Sequence, residues 1–403
     1  MSWEFVRADQ FCESVRDGTH DTPKEVECGY KLVTSKHIRD GQVYPDEAYS
    51  ISEKDYKKIN ERSKVEQWDV VMSMIGNGLG RTAVIKDNPL YAIKNLALFK
   101  IGNEAKAKWL HYYLSSEEGQ GLIYNSLQGS GQPFISLNLL RAFPIPNPPY
   151  EIITKITGYL EKYDNLIENN QKQIKLLEEA AQRIYKEWFV DLRFPGYENT
   201  PIIDGVPQGW DEYAISDLCE KINAGGTPSR RNTNYWNDAS IKWYKTQELQ
   251  DCWLIDSDEK ISKEGQESSS AKFFPKNTIL MAIYASPTLG RLGILDSEAT
   301  CNQAALCLKA DETIISWQWL YEKLYELRDH YNGIARGAGQ QNISGEVVKH
   351  TIVLRPTKEI MDKFTQIVAP WFEKRRVLQK QNLSLTEARD RLLPKLMSGE
   401  LEV

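Results

Sequence analysis

The sequence predicts an α/β (α+β) protein of two tandem repeated globular domains, each followed by a long helix, the two helices pairing as an antiparallel coiled coil. Three observations predict it. The second half of the chain repeats the first at an offset of about 208 residues. Each copy closes on a long apolar series at alternating spacings of three and four. Ahead of that series, short apolar runs bounded by turn residues alternate with short helical patterns.

In chain order these observations give a first globular domain over residues 1–150, a helix over 151–190, a linker over 191–208, a second domain over 209–356 and a second helix over 357–403. The domain openings pair Trp3 with Trp210, Cys12 with Cys219 and Glu13 with Glu220, and then Gly18 with Gly226 and Thr19 with Thr227. After a small slip that a loop absorbs, Lys31 pairs with Lys242 and Asp40 with Asp251. "LGRTAVI" matches "LGRLGIL", which pairs Arg81 with Arg291, and "GSGQPFIS" matches "GAGQQNIS", which pairs Gln132 with Gln340. Strands are expected at "QWDVVMSMI", "RTAVI", "NTILMAIY" and "LGILD", and helices at "NEAKAKWLHYYLSS" and "SWQWLYEKLYELRDHY".

The first long helix carries Ile153, Ile156, Leu160, Tyr163, Ile167, Asn170, Ile174, Leu177, Ala181, Ile184 and Trp188 on one seam. The second carries Met361, Phe364, Val368, Trp371, Arg375, Leu378, Asn382, Leu385, Arg389, Leu392 and Leu396. A seam of about five heptads is the signature of a coiled coil, in which Asn170 and Asn382 would fix register at some cost in stability. Pro370 and Pro394 are expected to kink or end the second helix. Between the first helix and the second domain, "RFPGYENTPIIDGVPQGW" is a linker by its Pro and Gly content.

At 403 residues, 41% hydrophobic and 26% charged, the chain is long enough for two or three domains. It shows no apolar run of membrane-span length and no basic-then-apolar leader in "MSWEFVRADQ", which predicts a cytoplasmic protein. Six cysteines without a C-x-x-C pair or a His at ligand spacing argue against zinc and against a disulfide framework, and predict buried thiols. A net charge of -6 is unusual for a chain that binds nucleic acid alone, and argues for local basic surfaces or a basic partner.

Two stretches suggest catalysis. "NPPY" at Asn147 to Tyr150 is the tetrapeptide with which amino-methyltransferases grip a flipped adenine, and "SMIGNGLG" at Ser73 to Gly80 has the glycines of a cofactor-binding turn. The repeat answers both. Asn147 to Tyr150 stand where "RPTK" stands in the second copy, just before the long helix, where Pro stops a strand and sets a helix start. "SMIGNGLG" runs into a strand where a cofactor turn needs a helix. A self-contained adenine DNA methyltransferase is thus the alternative reading, and a coiled-coil scaffold that binds only protein is a third.

The chain resembles the specificity subunit of type I restriction-modification enzymes over essentially its whole length. The residues that carry the resemblance are "VPQGW" opening the second domain, "GGTPSRRNTNYW" at Gly225 to Trp236, "CNQAALCL" at Cys301 to Leu308, "GSGQPFIS" and "GAGQQNIS" closing each domain, and "LLPKLMSGELEV" at the C-terminus. The first domain departs from the pattern, with "DGTH" where the family has Thr-Pro. The resemblance implies that each globular piece is a target-recognition domain reading one half of a split site in double-stranded DNA. The helices would fix the gap, modification (methyltransferase) subunits would dock on them, and restriction (motor-nuclease) subunits would join. It also implies that S-adenosylmethionine, ATP and magnesium belong to those partners, and that this chain is non-catalytic with no cofactor or metal of its own.

Candidate DNA contacts follow from residue chemistry. In the second domain Arg230, Arg231, Asn232 and Tyr235 share a loop-like stretch, and Arg and Asn can pair bidentately with guanine and adenine. In the first, Lys36, His37 and Arg39 share "TSKHIRDGQ". Arg81 and Arg291 could bind phosphates or cap a strand turn. Thr19 and Thr227 could contact phosphate or only form a turn. Gln340 follows a glycine near the end of the second domain, as Gln132 does in the first, where it could read a base or bond the helix junction. His20, His111, His330 and His350 show no constellation.

Overall fold

The computed structural model describes residues 3–76, 78–129, 133–284, 288–337 and 342–401. The chain divides into two compact units, Met1–Ile167 with Ser384–Val403, and Glu168–Leu383.

The first unit is built on an antiparallel sheet in the order Ser14–Asp17, Leu96–Lys100, Val70–Ser73, Thr82–Val84. Its two middle strands are buried on both faces, which is why "VVMS" and "LALF" read as continuous apolar runs rather than alternating ones. Val70, Met72, Ala97 and Phe99 face the helix Glu104–Ser115, whose Asn103 cap accepts the Lys106 amide and whose Trp109 is fully buried. Val71, Ala83, Leu96 and Leu98 face a second core with Val33, Ile38 and Ile93. There a three-stranded sheet runs Ser50–Ile51, Tyr30–Val33, Tyr91–Ile93, with the last pair parallel.

The second unit repeats this plan. Cys219–Ala224, Ala305–Ala310, Ile279–Ala282 and Leu292–Leu295 lie in the same order, and Cys252–Leu254 adds a parallel edge strand. The three-stranded sheet returns as Glu259–Ile261, Ile241–Tyr244, Thr300–Cys301, again with one parallel pair. Strand register refines the sequence alignment at one point. The Gly18 amide donates to Leu96 and the Thr19 amide to Ile93, whereas the Gly225 amide donates to Ala305 and the Gly226 amide to Cys301. Gly18 therefore matches Gly225 rather than Gly226, and the structural partner of Thr227 is His20 rather than Thr19. Steric contact agrees, since a Cβ on Gly18 would lie 2.4 Å from the Ile93 carbonyl oxygen and one on Gly225 2.4 Å from that of Cys301.

The long helices are α1 (Tyr150–Tyr185), extended by a π-helical turn over Lys186–Val190, and α2 (Lys358–Met397). No residue of either predicted seam is exposed. In the second unit the seams run antiparallel: Asn170 Nδ2 donates to Asn382 Oδ1 at 2.9 Å, Arg375 Nη2 donates to Glu178 at 3.2 Å, and Tyr185 packs on Phe364. In the first unit Ile153, Ile156 and Leu160 share a core with Leu393, Leu396 and Met397, and Arg389 Nη1 donates to Asp164 at 2.7 Å. Of the two outcomes expected for Pro370 and Pro394, a kink or an end, neither proline ends α2. The burial of Met361, Phe364, Val368 and Phe372 around Pro370 offsets its missing hydrogen bond. Pro394 falls in the last turns of the helix.

The 191–208 segment is anchored. Phe194 is buried against Trp210, with ring centroids 4.9 Å apart, and Ile202–Ile203 pairs with Val206–Pro207 across Asp204 and Gly205. Both turn residues have positive φ, 49° and 82°, as a tight hairpin of this twist requires. "NPPY" behaves as the repeat predicts. The Asn147 amide donates to Glu4 at the end of the Phe5–Arg7/Pro144–Pro146 ribbon, and the Pro149 carbonyl accepts the amides of Ile152 and Ile153 as α1 begins. Among the cysteines the expectation of burial holds for Cys12, Cys301 and Cys307, while Cys28 is exposed and Cys219 and Cys252 are half-buried.

Candidate nucleic-acid interface

In the first domain an open cleft of about 1150 Å³ collects part of the predicted set. One wall is the short turn Ser35–His37, and the other carries Gly76, Gly78 and Leu79 together with Tyr124 from the end of the helix Glu117–Asn125. Lys36 is exposed on the rim and has no ion pair among the described residues. His37 is half-buried, and its Nδ1 accepts the Thr34 amide at 2.9 Å. Burial lowers its pKa, which favours the neutral ring.

Arg39 is differently placed. It grips Glu47 with both terminal nitrogens, and its guanidinium lies 3.8 Å above the Tyr44 ring. Contact with DNA would have to exchange those bonds. Arg81 is exposed, without an ion pair among the described residues, and leaves the turn in which its amide donates to Gly78. Thr19 forms a local turn, its Oγ1 accepting the Asp21 amide at 3.1 Å.

In the second domain Arg230 and Arg231 part company. Arg230 pairs with Glu259, which also takes Lys245 Nζ at 2.9 Å, and its guanidinium stacks 3.6 Å from the Trp236 ring. Arg230 and Lys245 together hold the Glu259 carboxyl below its ordinary range. Arg231 points outward and has no ion pair among the described residues. Asn232 caps the turn Thr233–Tyr235 by accepting the Asn234 amide, and the Tyr235 carbonyl accepts the Ser262 amide. Arg291 is half-buried in the turn before Leu292–Leu295. Gln340, like Gln132, lies outside the described residues.

Two features escape a residue-by-residue reading of the sequence. The first is a pair of matched side-chain contacts beside the Gly18 and Gly225 crossings. His20 Nδ1 meets Asn95 Oδ1 at 2.8 Å while its Nε2 meets the buried Asp17 carboxylate at 3.0 Å, and Asp17 is also held by Arg62. At the equivalent place in the second domain the Thr227 hydroxyl donates to Gln303 Oε1. His20 thus has the constellation that the sequence hides. The second feature is a buried charge cluster. Arg375, 1% exposed, also donates to the Asp251 carbonyl at 3.1 Å, and Arg328 grips the Asp251 carboxylate. Glu322, equally buried, has an Oε1 without a hydrogen-bond partner among the described residues.

The sequence matches the family profile of the type I restriction modification DNA specificity domain twice, over residues 1–179 and 207–382. The chain belongs to this family. Among similar proteins, the type I restriction enzyme MjaIX specificity subunit of Methanocaldococcus jannaschii is 26% identical over 330 residues, covering 81% of this chain and 76% of that one. The HindI specificity subunit of Haemophilus influenzae is 24% identical over 412 residues, covering 84% and 88%. The crystal structure of the type I restriction-modification S subunit from M. genitalium superposes with a TM-score of 0.58 at 15% identity, covering 98% and 96%, and shares the fold. By family, then, this is a DNA sequence-specificity protein of a type I restriction-modification system.

Proposed function

We propose that each globular domain reads one half of a bipartite site in double-stranded DNA, and that α1 and α2 set the unread gap and dock the modification subunits. The observation that carries this reading is the duplication itself: two domains of one topology stand in one chain, each leading into a long helix, yet they carry different side chains at their candidate contacts. A repeated scaffold with diverged tips suits two half-sites that differ in sequence.

The chain itself is non-catalytic in this reading. S-adenosylmethionine serves the modification subunits, and ATP and magnesium the restriction subunits. The assembly works in the cytoplasm, and no helix among the described residues is long and apolar enough to cross a membrane. With a net charge of -6, the chain draws part of its phosphate contact from those partners. The test is to titrate labelled duplex with the chain alone and with modification subunits added, at two salt concentrations. Salt-sensitive binding that sharpens with the partner is expected, with no crosslink of the isolated chain to labelled S-adenosylmethionine. A scaffold would bind no DNA in either state, and a crosslink to the isolated chain would favour the methyltransferase alternative.

A further inference from the structure

We infer that Asn95 and Gln303 are equivalent DNA contacts, one in each domain, each donating its side-chain amide N–H to a hydrogen-bond acceptor on the duplex. The inference rests on the recognition function proposed above and adds to it the residues that make the contact.

Register carries the argument. In each domain a strand ends at a glycine, Gly18 or Gly225, that crosses over the carbonyl of the parallel strand Tyr91–Ile93 or Thr300–Cys301. Two residues past the glycine stands His20 in one domain and Thr227 in the other. Just past the parallel strand stands a carboxamide, Asn95 or Gln303, and each has its oxygen against that side chain. The connection is one residue longer in the second domain, and the longer Gln side chain is used there. Different residues thus make the same contact twice, which a solvated surface has no reason to do. Neither side-chain amide nitrogen has a partner among the described residues.

In the first domain Asn95 also lines the cleft that holds Lys36 and His37. The site behind it is braced, because the Asp17 carboxylate accepts from Arg62 and lies 3.0 Å from His20 Nε2. Asn95 itself has φ of 55°, in the left-handed region that Asn tolerates better than most residues, which fixes where its side chain leaves the backbone. An anchored carboxamide with a free N–H end is the group that pairs with a purine acceptor edge or a phosphate oxygen. His20 and Thr227 are positioning residues in this arrangement.

The test uses the full chain with its modification subunits and a duplex carrying the site mapped from methylated adenines. Asn95→Asp and Gln303→Glu keep the shape of each side chain and replace the N–H donor by a carboxylate oxygen; Asp also tolerates the backbone at 95. Each is expected to weaken binding by about 5- to 150-fold. A loss confined to one position of one half-site, different for the two variants, identifies a base acceptor. An equal loss over all permuted duplexes identifies a phosphate oxygen. Thr227→Val should lower binding by a smaller factor at unchanged melting temperature, with rescue by Thr227→Ser. The wild-type complex must first prefer its site over permuted duplexes, and the absence of any preference would overturn the recognition reading itself. Preference and affinity that persist within twofold in both carboxylate variants overturn the contact assignment alone.

Discussion

Glu322 is buried on the helix Trp317–Glu326, and burial pushes its carboxyl up to about 8 while Arg375 pulls the other way. The folded chain therefore holds this proton more tightly than the unfolded one does. The stability it contributes is complete below the unfolded value near 4.5 and is lost as pH rises to about 8. Glu322→Gln should remove that dependence and raise stability at pH 9 by on the order of 5 kcal/mol, read from denaturant melts at pH 5 and pH 9. A variant as pH-sensitive as the parent would mean that the proton resides elsewhere in the cluster. His111 works in the opposite sense. Burial pushes its imidazole down to about 4, so its contribution is lost as pH falls below about 6.5. The two arginines of "SRRNTNYW" also separate at this scale. Arg231→Ala should lower affinity for the cognate duplex, by roughly 1–3 kcal/mol if it pairs with a base. Arg230→Ala should instead cost about 0.5–1 kcal/mol of stability through its stack on Trp236. Equal binding losses from both would place Arg230 on the DNA as well.

Helices and strands differ in how far the sequence discloses them. The seam of α1 and α2 is written in a local period, so every seam residue could be named in advance, and each is buried or half-buried. That Arg375 and Arg389 sit in the seam was visible, but Glu178 and Asp164, which receive them, face them only after two distant segments fold together. Pro370 lies within α2 rather than at its end. The sheets were legible as apolar runs, whereas their order was not, and the one-residue shift that pairs His20 with Thr227 emerges only from backbone register. A residue-by-residue alignment prefers the identical threonines and so misses Asn95 and Gln303. Lys36, Arg81 and Arg231 were nameable as exposed cations, but the pairing that occupies Arg39 and Arg230 was not. The Asn170–Asn382 bond gives a direct element-scale test. Asn170→Leu leaves Asn382 facing an apolar neighbour and should cost about 1–3 kcal/mol, whereas the double change to Leu should recover most of it. Urea melts of the four combinations measure the coupling, and additive losses would show that the bond contributes nothing.

For the whole molecule, duplication is what links fold to function. If the paired helices set the gap, inserting one heptad into each at the Asn170–Asn382 level preserves the apolar seam and adds about 10 Å of helix, or about three base pairs of duplex. The half-sites should keep their bases and move apart. If each domain reads alone, the most direct measurement is to replace residues 1–148 with the equivalent domain of a relative and map methylated adenines in a host carrying the modification subunits. The account predicts a motif in which one half changes to the donor's sequence and the other half is retained with the same gap. A motif changed in both halves, or unchanged in both, would contradict it.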